Sequence, residues 1–101
     1  MTTAERIARR LRQALAPVHL EILDESAKHA GHAGAAAGGG HFSCTIVSEA
    51  FRGRSRLERH RAVYRALGDL LKREVHALAL ETLDPTQWAA KEGPGPEKGR
   101  L

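Results

Sequence analysis

The chain has one cysteine, one tryptophan, one tyrosine and two phenylalanines in 101 residues, and each scarcity excludes something. A lone thiol, Cys44, rules out an internal disulfide framework and any CxxC metal or redox motif, so a reducing cytoplasm is the simplest compartment. No apolar run approaches the roughly 20 residues that a membrane-spanning helix needs. MTTAERIARR passes straight into an amphipathic helix pattern carrying Glu5 rather than into the apolar core of a signal peptide. A soluble, cytoplasmic chain with no membrane role is therefore expected. Catalytic signatures are equally scarce: no nucleophile stands beside a base, no pair of carboxylates emerges, and Gly38-Gly39-Gly40 lacks the lysine and following helix of a phosphate-binding loop. The expectation is a non-enzymatic protein.

What is present fits one small domain with one modest core. Lysine and arginine total 16 against 12 acidic residues, a net charge of +4, which favours association with nucleic acid or acidic protein surfaces without choosing between them. Thr2 and Glu5 form a capping box, after which Ala4, Ile7, Ala8, Leu11 and Leu15 recur at helical spacing until Pro17. Val18, Leu20 and Ile22 alternate with His19, Glu21 and Leu23 as a strand does. Residues 25–40 show no periodicity and are rich in glycine and alanine, the pattern of a loop. HFSCTIVS restores alternation, with Phe42, Cys44 and Ile46 on one face. Ser48 to Phe51 suit a single helical turn that Gly53 breaks.

Ser55 and Glu58 form a second capping box, opening a helix expected to run to about Lys72 with Leu57, His60, Tyr64, Leu67 and Leu71 along one stripe. Val75–Thr82 reads as a third, mostly buried strand, and Asp84-Pro85 as a helix start with Trp88 packing beneath the sheet. The domain is expected to occupy residues 1–90, and the Gly-, Pro- and charge-rich segment 91–101 to be a disordered tail. The resulting order is α-β-β-α-α-β-α, an α+β fold. Strands one and two, joined by a loop, should be antiparallel, and strands two and three, joined by a helical crossover, parallel. That arrangement would place His41 and His76 at one end of the sheet, where the loop bearing His29 and His32 also enters.

Imidazole is the commonest metal ligand, and His29, His32 and His41 or His76 offer two or three. Spacing alone also suits solvated loop histidines and strand-end hydrogen bonding, because HxxH in a loop is not the helical HExxH of zinc proteases. A zinc site of His29, His32 and His76 is a further alternative. Cys44 falls on the apolar face, where a free thiol behaves as a small hydrophobe. A second cluster, Arg52, Arg54, Arg56, Arg59, Arg61 and Arg65, surrounds the start and outer face of the long helix. Such density can follow phosphates or form a solvated face paired locally with Glu58 and Asp69.

Taken together, Asp24-Glu25-Ser26 followed by His29, His41-Phe42, VSEAFRGRSRLERHRAVY from Val47 to Tyr64, and VHALAL from Val75 to Leu80 with Trp88 beyond resemble the BolA family over nearly the whole chain. The resemblance implies a fold like a class II KH domain with a three-stranded mixed sheet. It implies partnership with a monothiol glutaredoxin around a bridging 2Fe-2S cluster and, as in some bacterial members, DNA binding and transcriptional control. On the family pattern, the cluster ligands of this chain would be His76 and a loop histidine, His29, with His32 as the alternative that the long loop creates. The remaining ligands would be thiolates of glutaredoxin and its glutathione. The turn Phe51-Arg52-Gly53-Arg54-Ser55 has one glycine where nucleic-acid-binding KH domains carry GXXG. DNA contact would then fall to Arg52, Arg54, Arg56 and Arg59.

Overall fold

Thr2 accepts the Glu5 N–H in its side chain while the Glu5 carboxylate accepts the Thr2 N–H, and this reciprocal cap starts α1 (Thr3–Leu15) in the computed structural model, which describes residues 1–26 and 40–92. The helix stops where Ala16 takes a left-handed conformation just before Pro17. There follow β1 (His19–Asp24), β2 (Gly40–Val47), the one-turn 3₁₀ helix α2 (Glu49–Phe51), α3 (Arg56–Leu67), the short α4 (Leu70–Arg73), β3 (Val75–Leu83) and α5 (Pro85–Glu92). The strands form one sheet in the order β1-β2-β3, β1 antiparallel and β3 parallel to β2, as loop and crossover require.

Leu20 and Ile22 of β1, Phe42, Cys44 and Ile46 of β2, and Val75, Leu78 and Leu80 of β3 turn to the helical side. Ile7 and Leu11 of α1 and Val63 and Leu67 of α3 meet them, all four fully buried. Each such side chain contributes about 1.5–3 kcal/mol on leaving water. On the opposite sheet face α5 brings Trp88 onto His19, with ring centroids 4.4 Å apart, and pairs Lys91 with Glu81.

Four expectations change. The long helix ends at Leu67 rather than near Lys72, because Gly68 adopts φ 54° and the chain restarts as α4. The buried stripe of α3 is Arg59, Ala62, Val63 and Leu67; Leu57 and Tyr64 are exposed instead. β3 is not mostly buried: His76, Ala77 and Ala79 lie open. Lys91 and Glu92, expected in the tail, complete α5, while 93–101 lie outside the described residues, as do His29 and His32.

A candidate metal-binding end of the sheet

Asp24-Glu25-Ser26 ties the end of β1 to the start of β2. The Asp24 carboxylate accepts the Ser26 N–H at 2.9 Å, and hydrogen bonding from Ser26 holds its pKa below the ordinary range. The Ser26 hydroxyl oxygen accepts the His41 N–H at 3.1 Å, the Glu25 N–H donates to the His41 carbonyl at 2.7 Å, and the Ser43 hydroxyl donates to the Glu25 carboxylate at 2.9 Å. On the other side the Gly40 N–H donates to the Glu74 carbonyl at 2.9 Å. Gly40 has a steric reason to be glycine: a Cβ there would stand 2.3 Å from the buried Phe42 ring. Gly40 is therefore part of the sheet.

Gly40 pairs with Val75, but His41 pairs with Ala77. One extra residue, His76, thus sits in β3 opposite a single step of β2, which is a β-bulge. Bulges re-aim side chains and recur beside functional sites. Here the bulge lets Val75 enter the core while both His76 and Ala77 face solvent and Leu78 returns inward. The His76 and His41 rings lie 5.1 Å apart, tilted by 46°. The expected convergence of the two strand-start histidines is observed. The loop histidines are outside the described residues, and among those described no cluster of three or more metal-ligating side chains occurs.

Cys44 lies two residues from Phe42 in the same core face, 2% exposed, and burial pushes its thiol up to about 12. A thiol so held is not a thiolate ligand near neutral pH, in keeping with its reading as a small hydrophobe.

The arginine cluster divides. Arg59, expected among the phosphate contacts, is 7% exposed. Its guanidinium donates to the carbonyls of Arg54 and Thr82 and to the Gln87 side-chain oxygen, faces Asp84 at 3.7 Å and stands over the Phe51 ring. It is a structural cation joining α3, β3 and α5, and cannot reach a DNA surface. Arg52 is exposed but bonded to Glu49 and to the Thr86 hydroxyl. Arg54, Arg56, Arg61 and Arg65 are exposed. Sequence reasoning missed the clamp made by Glu25 and Ser26 and the anchoring role of Gln87. The tendency of Asp to bond the backbone two residues on marks Asp24–Ser26, and Asp84-x-x-Gln87 has the spacing of the reciprocal cap it forms.

Comparison with known proteins follows this architecture. Residues 11–87 match the family model described as BolA-like protein. The chain is 43% identical over 88 residues to a protein of Escherichia coli K12 named DNA-binding transcriptional regulator BolA, covering 87% of this chain and 81% of that one. It is 45% identical over 82 residues to mouse BolA-like protein 1, covering 81% of this chain and 58% of that protein. Among solved structures, the BolA domain of SufE1 from Arabidopsis thaliana superposes with a TM-score of 0.74 at 41% identity, over 85% of this chain and 95% of that one. Mouse BolA1 superposes at 0.76 with 38% identity, over 100% of this chain and 80% of that one.

Proposed function

Because the chain belongs to the BolA family, we propose that it acts, without catalysing a reaction of its own, as the partner of a monothiol glutaredoxin, sharing a bridging 2Fe-2S cluster in cluster assembly or transfer or in iron and redox sensing. The observation that carries this reading is His76, turned out of the ladder by the bulge at the sheet end where β1 finishes and β2 begins. Exposed imidazole suits iron of such a cluster, whereas the buried Cys44 thiol does not.

His76 would be one ligand and a loop histidine the other. The Ser26 hydroxyl accepts the His41 N–H beside it, and His29, three residues after Ser26 in the sequence, is the proposed loop ligand, with His32 as the alternative. The bound cluster would supply one-electron redox chemistry and a transferable iron–sulfur unit, and imidazole in place of thiolate raises its potential. The chain's own part would be to present His76 through the bulge, beside the start of β2 that the Asp24–Ser26 clamp ties to β1, in a cytoplasmic setting that suits one reduced thiol.

Mixing the protein with a cluster-loaded monothiol glutaredoxin should change the visible circular dichroism, and His76→Ala should abolish the change while His29→Ala and His32→Ala separate the loop candidates. An unchanged heterocomplex spectrum with His76→Ala sinks the ligand assignment. The name of the Escherichia coli relative supports a second reading, duplex DNA binding and transcriptional control. It would fall to Arg54, Arg56, Arg61 and Arg65, and its mark is duplex affinity that drops steeply with salt.

A further inference from the structure

At the far end of β3 from His76 lies a cleft of about 310 Å³ between the start of α3, the edge of β3 and α5, at the lower bound of small-molecule sites, roughly 300–1,000 Å³. It is lined by Arg54, Arg56 and His60 together with Thr82 and Gln87. Arg59 also lines it, fixed by the carbonyls of Arg54 and Thr82 and by Gln87. Because the Arg54 carbonyl accepts from that buried guanidinium, the backbone carrying Arg54 is anchored to Arg59. Arg59 is balanced by Asp84 at 3.7 Å, and the one acid among the lining residues, Glu81, is paired with Lys91. Arg54 and Arg56 make no ion-pair contact among the described residues, and although the Glu58 carboxylate feels the charge of Arg54 from beside it, the two guanidiniums leave the cleft with a net positive charge.

We propose that this cleft binds a phosphate monoester, the phosphate of a mononucleotide-sized ligand held by Arg54 and Arg56. A dianionic phosphate matches two guanidiniums in charge, and the planar donor forks match its oxygens bidentately. The cleft is about six residues along β3 from His76, roughly 20 Å, so the site does not depend on the cluster reading and leaves the histidine end free. His60 offers an independent reporter. Burial, and then Arg56, lower its pKa; of the other groups around it, Arg54 and Arg59 share the lining of the cleft, Glu81 is engaged by Lys91, and Tyr64 meets its ring edge-on. A bound dianion reverses that balance.

The test is titration of the full chain with AMP, inorganic phosphate, acetate and a short DNA duplex, followed by amide and imidazole NMR. AMP and phosphate should give saturable shifts at residues 54–60, 80–82 and 87 and raise the titration midpoint of His60. Arg54→Ala or Arg56→Ala should each weaken AMP binding roughly tenfold, and Arg61→Ala, a charge removed from the same helix outside the cleft, should leave it unchanged. All three positions are exposed, so folding is not at risk. Absence of saturation at millimolar AMP overturns the proposal. So does acetate binding as tightly as phosphate, or weakening by Arg61→Ala equal to that by Arg56→Ala. Shifts produced by the duplex alone and extending to Arg61 and Arg65 also overturn it, in favour of diffuse contact with DNA.

Discussion

Arg59 looks in the sequence like any other arginine of a crowded basic run, yet it is the one taken into the interior. Its guanidinium offers five donors in a fixed fork, and the carbonyls of Arg54 and Thr82, the Gln87 amide oxygen and the Asp84 carboxylate surround it. Truncation would leave the buried Thr82 carbonyl without this donor and remove the nearest cation from the Asp84 carboxylate. Arg59→Ala is therefore expected to cost about 2–4 kcal/mol in chemical denaturation, and Arg59→Lys to recover little, because a single ammonium cannot span three directions. A loss within the few tenths typical of exposed arginines would refute the structural role. The distinction was illegible beforehand because all of its partners except the Arg54 carbonyl lie 23 to 28 residues away, and periodicity along α3 favoured Leu57 and Tyr64 for the buried stripe. Cys44 was legible, since alternation with Phe42 and Ile46 in one short strand fixes its face.

Among the elements, caps and alternation were read correctly wherever the determining residues are neighbours: Thr2 with Glu5, Ser55 with Glu58, Asp84 before Pro85. The bulge in β3 was not legible. VHALAL alternates acceptably in either phase, and only the pairing of Gly40 with Val75 and of His41 with Ala77 reveals the extra residue. If the bulge serves to present His76 rather than to build the core, removing that residue should restore a regular ladder, with Val75, Leu78 and Leu80 still facing inward. Deletion of His76 is expected to shift stability by no more than roughly 1 kcal/mol, about 4–8 °C in melting temperature for a domain of this size. Deletion of Ala79, likewise a single exposed residue of β3, would turn Leu80 outward and Glu81 into the core and should unfold the protein. Equal damage from both deletions would show that the bulge is needed for packing.

At the scale of the molecule, the order of strands places two surfaces at opposite ends of one edge strand, histidines at its start and arginines beside its finish. The convergence of His41 and His76 followed from topology alone, since parallel strands begin at the same end. The same topology limits what the chain can do unaided. With Cys44 sealed in the core and no other cysteine in the sequence, every thiolate that a 2Fe-2S cluster needs must come from elsewhere. Imidazoles alone leave its iron positions incompletely ligated and open to water and chelators. Anaerobic reconstitution of the isolated chain with iron and sulfide, followed by desalting, is therefore expected to leave no visible absorption. The same treatment with a monothiol glutaredoxin and glutathione should leave a coloured complex from which a chelator removes iron as the chains separate. A cluster retained by the isolated chain would remove the reason for a thiolate-donating partner, and with it the proposed function.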